Sequence, residues 1–195
     1  SGSRDTFNQF RLDYYPDRLD PKYGASPRAI MERNFKVCRT YGLTFTKDAG
    51  NLLFVGGTGL GKTFLSACIA RVVSEKGCSV VYDTAAHIFQ RFEVQKFGRE
   101  EDEEASDDVT RVLNCDLLIL DDLGTELTTN FVQSTFYEIV NTRLMGRKST
   151  IISTNLSVED LSRRYYQQVA SRIEGEYQIL LFFGQDIRKL KKERQ

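Results

Sequence analysis

The 195-residue chain has no tryptophan, a single histidine and three prolines. No apolar run approaches the roughly 18 residues that a membrane-spanning helix needs, and no secretory h-region opens the chain. Neither charge sign is in excess: 27 lysines and arginines balance 27 aspartates and glutamates, so no overall basic field draws nucleic acid. Any such contact must come from a local patch. The four cysteines, Cys38, Cys68, Cys78 and Cys115, form no C-x-x-C pair, and His87 is the one imidazole available to join them. That pattern argues against zinc and reads as reduced core thiols in a cytoplasmic compartment. With no internal repeat and no strong linker, the length suits one domain.

Ser1-Gly2-Ser3 reads as a cloning scar, and residues 4–50 as a leader. Ser26-Pro27 has the form of an N-cap with proline at the first helical position, predicting a helix to about Tyr41 that Gly42 stops. From Asn51 onward apolar runs alternate with amphipathic segments. Strands are expected at Asn51–Val55, Ser79–Tyr82, Asp116–Leu120, Thr150–Ser153 and Ile179–Phe183. Leu65, Cys68, Ile69, Val72 and Val73 share one helical face, closed by Gly77. Residues 85–114 read as mostly helical, with the charge run Arg99–Glu104 as a solvated loop. Asn130 is expected to cap a helix ending at Gly146, and Ser157 another. The fold class is α/β, with a mainly parallel five-stranded sheet between helices and ligand chemistry at the strands' carboxyl edge.

Gly56-Gly57-Thr58-Gly59-Leu60-Gly61-Lys62-Thr63 satisfies every fixed position of G-x-x-x-x-G-K-[ST]. A polyphosphate needs many N–H donors turned inward, and glycine permits the backbone angles and close approach that a Cβ would block. The helix that follows adds unpaired N–H groups and its dipole. Gly57, Thr58, Gly59, Leu60, Gly61, Lys62, Thr63 and Phe64 are therefore the nucleotide-binding candidates, with Lys62 on the β- and γ-phosphates and the Thr63 hydroxyl on Mg²⁺.

Leu117–Leu120 runs into Asp121-Asp122. One carboxylate at such a strand tip suits magnesium, and the next can orient the attacking water. Asp121 is assigned to the metal and Asp122 to the water, with Glu126 as its rival for the base. Asn155, after the fourth strand, is a candidate contact to the γ-phosphate or water. Arg172 and Arg188 are candidates for an added guanidinium, and spacing alone does not choose between them.

Together, Gly56–Thr63, Leu118–Gly124 with Glu126, Ile151-Ile152-Ser153-Thr154-Asn155-Leu156-Ser157, Ser171–Gly175 and Phe183-Gly184-Gln185-Asp186-Ile187-Arg188 resemble the AAA+ domain of DnaC/DnaI-type helicase loaders. The related IstB-type transposition ATPases share much of this pattern. The resemblance implies a P-loop NTPase fold of AAA+ type, bound ATP or ADP with Mg²⁺, and weak hydrolysis in an isolated subunit. It also implies self-association through the ATP site, a DnaB-type replicative helicase as client, single-stranded DNA, and no membrane. Asn155 matches the sensor 1 position, Arg172 the arginine finger acting on a neighbour's ATP, and Arg188 the sensor 2 arginine. The segment Ile88–Arg111 matches an insertion facing single-stranded DNA, to which Arg91, Lys96 and Phe97 would offer charge and a stacking face.

Two departures stand out. The acidic pair is Asp-Asp where Asp-Glu is usual, and residues 4–50 look too short for a loader's helicase-binding domain, which suggests a truncated chain. The ATPase domain is expected at 51–195. A transposase client, and less readily a small-molecule P-loop kinase, are the alternative readings.

Overall fold

The computed structural model describes residues 7–98 and 102–184. Ser1–Ser3, Arg99–Glu101 of the charge run and the basic tail from Asp186, including Arg188, lie outside the described residues.

Five strands form one sheet: β1 (Asn51–Gly56), β2 (Val80–Thr84), β3 (Leu117–Leu123), β4 (Ser149–Thr154) and β5 (Tyr177–Phe182). Their order is β2-β3-β4-β1-β5, and every pairing is parallel. Parallel neighbours require crossovers, which the helices supply: α2 (Lys62–Glu75), α3 (Ala85–Phe97), α4 (Glu103–Asn114), α5 (Asn130–Met145), α6 (Val158–Arg164) and α7 (Gln167–Glu176). After β1 the chain crosses to β2 at the far edge and works back through β3 and β4. The carboxyl ends of β1, β3 and β4 therefore border one crevice, the usual ligand position in an open α/β sheet.

Strand alternation divides the core in two. Leu52, Phe54, Leu117, Ile119 and Ile151 face the layer made by α2 and the leader helix α1 (Pro27–Leu43). Leu53, Val55, Leu118, Leu120 and Ile152 face the layer that includes Phe89, Phe136 and Ile139. The leader is part of this packing: Phe7, Tyr15, Met31 and Cys38 are buried against Leu65, Cys68 and Ile69. Cys38, Cys68 and Cys115 are buried free thiols, while Cys78 is only half-buried.

Three local expectations need correction. Gly42 does not stop α1, which continues to Leu43. It is buried inside the helix, where an added Cβ would make only ordinary contacts, 3.5 Å from the Phe7 ring and 3.7 Å from the Ile69 backbone. The N-cap of α5 is Thr129, whose side chain accepts from Val132 N–H; Asn130 is the first helical residue. The charge run is not all loop: Asp102 caps α4, and Glu103 and Glu104 fill its first turn, where negative charge complements the helix dipole. The caps at Ser26 and Ser157 are as expected, accepting from Ala29 and Asp160.

At the opposite rim of the sheet Arg143 is wholly buried. It donates to Thr150 Oγ1 at 2.9 Å, Val112 O at 2.8 Å and Ser149 O at 2.8 Å, tying α5 to the end of α4 and the start of β4. Burial lowers its pKa, yet a guanidinium stays charged under any ordinary condition. Truncation would strand two buried carbonyls, each costing about 1–3 kcal/mol. Arg143→Ala is expected to destabilise the fold by about 3 kcal/mol in denaturant unfolding.

Candidate nucleotide-binding site

From the end of β1 to the start of α2 the chain takes backbone angles that favour glycine at Gly56, Gly59 and Gly61. Gly56 has φ of 155°, and a Cβ there would stand 2.0 Å from the Phe182 carbonyl oxygen on β5. Gly61, the N-cap of α2, sits at φ of 100°. Leu60 is buried and anchors the loop from below. Its carbonyl accepts a 2.7 Å bond from the Tyr15 hydroxyl, so the leader clasps the loop 45 residues ahead of it.

Lys62, only 8% exposed, turns its amine back over the loop. It donates to Gly56 O, to Gly57 O at 2.8 Å and to Asn155 Oδ1 at 2.9 Å, across from β4. Burial lowers its pKa to about 8, against the opposing pull of Asp122 and Asp121. Asn155 Nδ2 donates in turn to Thr58 Oγ1 at 3.0 Å. One amide side chain thus holds both the lysine and the lip of the glycine-rich loop.

Asp121 is 9% exposed and accepts from the Ser153 hydroxyl of β4. Ser153 Oγ in turn accepts the Asp122 backbone N–H at 3.0 Å. Asp122 has φ of 59°, a left-handed conformation that aspartate tolerates better than most residues, and its carboxylate is exposed. The register of β3 against β4 shifts between Leu120 and Leu123, which is where this turn is taken.

These groups surround a cleft of about 430 Å³ lined by Thr58, Gly59, Gly61, Lys62, Thr63, Phe64, Asp121, Asp122, Ser153 and Asn155. The sequence candidates Thr63, Asp121, Asp122 and Asn155 are therefore brought together with Lys62. Gly57 enters through its carbonyl alone. Glu126 is not part of the lining: its carboxylate accepts from Gly124 N–H at 2.9 Å and from the Tyr165 hydroxyl. Arg172 is exposed on α7, away from the lining and without a partner among the described residues. Sequence reasoning overlooked Ser153 and Tyr15. A serine inside an apolar strand beside Asn155 was a usable signal for the first; nothing local pointed to the second.

For a divalent cation the cleft offers hard oxygen donors, the Thr63 hydroxyl and the Asp121 and Asp122 carboxylates. No cluster of three or more metal-binding side chains occurs among the described residues. This set fits magnesium, which keeps several waters and takes its remaining oxygens from substrate phosphates. A second, smaller cavity of about 60 Å³ adjoins Gly61 and Phe64 and is walled by Gln9, Phe10, Arg11, Tyr14 and Tyr15 of the leader.

A family model described as IstB-like ATP binding protein matches residues 28–171. The chain belongs to this family. Among curated relatives, the replicative helicase loader DnaC of Escherichia coli K12 is 25% identical over 150 residues, 76% of this chain and 60% of the loader. An uncharacterized protein of the same strain, YdaV, is 26% identical over 123 residues, 63% of this chain and 48% of that protein. The chain thus spans about 60% of the length of the loaders it matches. A crystal structure of the DnaC helicase loader superposes with a TM-score of 0.69 at 25% identity, covering 91% of this chain and 98% of that one. AMPPCP-bound DnaA from Aquifex aeolicus gives 0.64 at 24%, covering 91% and 56%, a likeness of fold. The AAA+ P-loop architecture expected of this IstB-like chain is borne out, and no described helix is long and apolar enough to cross a membrane.

The clasp makes a test of the loop geometry. A Cβ on Gly61 would stand 2.7 Å from the Tyr15 hydroxyl and force a side chain into φ of 100°. Gly61→Ala is expected to cost about 1–3 kcal/mol of stability. Adding Tyr15→Phe should restore part of that loss, a positive coupling readable in a double-mutant cycle by denaturant unfolding.

Proposed function

We propose that this chain is an ATP-binding and ATP-hydrolysing switch that loads a DnaB-type replicative helicase onto single-stranded DNA. The observation that carries the reading is the bond between Lys62 and Asn155 across the cleft. A cation held only by neutral carbonyl and amide oxygens is poised to exchange them for anionic phosphate, a stronger partner. The loop's N–H groups and the start of α2 would hold the β- and γ-phosphates, with Lys62 across them. Thr63 and Asp121 would hold Mg²⁺, which neutralises charge developing on the transferred phosphoryl. Asp122, exposed at the rim of the cleft, is assigned to the attacking water, because the Glu126 carboxylate is already engaged by Tyr165 and Gly124. The adenine ring would lie toward Phe64 and the leader aromatics.

Arg172 projects from α7 with no cis partner among the described residues, as suits a guanidinium offered to a neighbouring subunit. Arg188 would contact the nucleotide of its own subunit, a role carried over from the family resemblance. Self-association through the ATP site follows from Arg172, with weak hydrolysis in isolated subunits. For DNA, Lys96 lies over both the Phe97 and Phe131 rings, at 5.5 and 5.6 Å, and Phe97 is 67% exposed. This pairing of a cation with a largely exposed ring that also packs on Phe131 suits a stacked base. Arg91 is spent on Asp108 at 2.8 Å and contributes less. A cytoplasmic setting fits these partners. The family match also favours a second reading, in which the same switch serves a transposase.

Lys62→Ala is expected to abolish ATP binding by calorimetry. Arg172→Ala should leave binding intact and lower turnover about 10³-fold at protein concentrations where subunits associate. Retained binding in the first variant, or unchanged turnover in the second, defeats the respective assignment. Phe97→Ala should weaken single-stranded DNA binding by about 1–3 kcal/mol in fluorescence anisotropy, with little effect on duplex. ATP-dependent capture of a replicative helicase, against capture of a transposase, decides the client.

A further inference from the structure

Glu126 has an arrangement that catalysis by the cleft does not use. Its carboxylate accepts from the Gly124 backbone N–H at 2.9 Å and from the hydroxyl of Tyr165, a side chain only 3% exposed. Its backbone carbonyl accepts from the guanidinium of Arg164, and the Arg164 backbone carbonyl accepts from Gln133 Nε2 at 2.9 Å. Burial, then Glu126 itself, hold the Tyr165 phenol far above its ordinary pKa, so it remains a donor at any working pH. Tyr165 is the C-cap of α6 and Tyr166 the N-cap of α7. Its ring packs on Phe136 of α5 at 4.8 Å. Arg172 lies six residues beyond Tyr166, about 9 Å up the helix.

The other end of this arrangement reaches the cleft. Gly124 has φ of 109°, and a Cβ there would lie 2.8 Å from Leu156 Cδ1. Leu156 follows Asn155, whose side chain bridges Lys62 and Thr58. Thr154 Oγ1 donates to Leu123 O at 2.7 Å and accepts from Leu156 N–H at 3.0 Å, closing the corner. Leu156 packs against the Gly124 turn and so joins the Asn155 corner to the loop after β3.

We propose that Glu126 is a positioning residue: its carboxylate latches the loop after β3 to the Tyr165 corner, so that nucleotide in the cleft fixes α7 and its Arg172. The inference rests on the nucleotide-binding reading above. It assigns Glu126 a mechanical part in place of the base. It also explains why a carboxylate so near Asp121 and Asp122 is turned from them, toward the helix that would serve the next subunit's site. A packed chain of contacts is a physical route, and it counts as coupling only if both ends are seen to respond.

The test is hydrogen exchange of the whole chain with and without Mg-ATP, for the wild type, Tyr165→Phe and Glu126→Gln. In the wild type, ATP should slow exchange both at the start of α2 and at amides 165–172. Tyr165→Phe keeps the ring against Phe136 and removes the hydroxyl; it should retain the first protection and lose the second, with thermal stability close to wild type. Glu126→Gln leaves one acceptor oxygen for two donors, the Gly124 N–H and the Tyr165 hydroxyl, so it should keep the first protection and weaken the second. The latch is overturned if wild-type α7 amides ignore ATP while α2 responds, or if Tyr165→Phe leaves their protection intact. No response at α2 in the wild type would instead discard the nucleotide reading itself.

Discussion

Everything at the carboxyl edge of the sheet depends on a largely buried lysine amine held by neutral oxygens. Lys62 is kept in place by Gly56, Gly57 and Asn155, with Asp121 and Asp122 close enough to favour its charge but without an ion pair to either. Such a cation is under-compensated, because hydrogen bonds to carbonyls replace hydration without supplying opposite charge. The glycines permit the approach, the buried Leu60 and the Tyr15 clasp hold the loop's shape, and β4 delivers the amide.

The sheet order turns this local tension into a connected device. Placing β4 between β1 and β3 brings Ser153 and Asn155 into contact with both the acidic turn and the glycine loop. Ser153 organises Asp121 and Asp122 together through one hydroxyl, donating to the first and accepting from the backbone of the second. Asn155 then reads the lysine. Ser153, in β4, and Asn155, just past its end, thus connect the acidic turn to the glycine-rich loop.

Much of this was legible in the residue string, and what was missed has identifiable causes. The phosphate loop could be read because its chemistry demands fixed types at fixed spacing, and Asp121 because an unbroken apolar run ended abruptly in carboxylates. The fully parallel sheet followed from strands alternating with helices. Gly42 was misread because a glycine near a helix end need not stop it: the chain stays helical for one more residue, to Leu43. Asn130 lost to Thr129 because two good caps stood side by side. Glu126 sat at plausible spacing for a base, yet its orientation depends on Tyr165, 39 positions later. Tyr15 escaped for the same reason: contacts made by topology leave no local mark.

The Tyr15 clasp bears on where the working unit of this chain begins. A fragment cut at Ser26 would keep all five strands, every described α-helix and the complete glycine-lysine motif. It would also bare one side of Phe64, empty the aromatic wall beside Gly61 and free the Leu60 carbonyl. Such a piece would carry every residue by which this kind of protein is recognised, with its loop untethered on that side. The motif marks where phosphate would sit; the tether that shapes it starts some forty residues earlier.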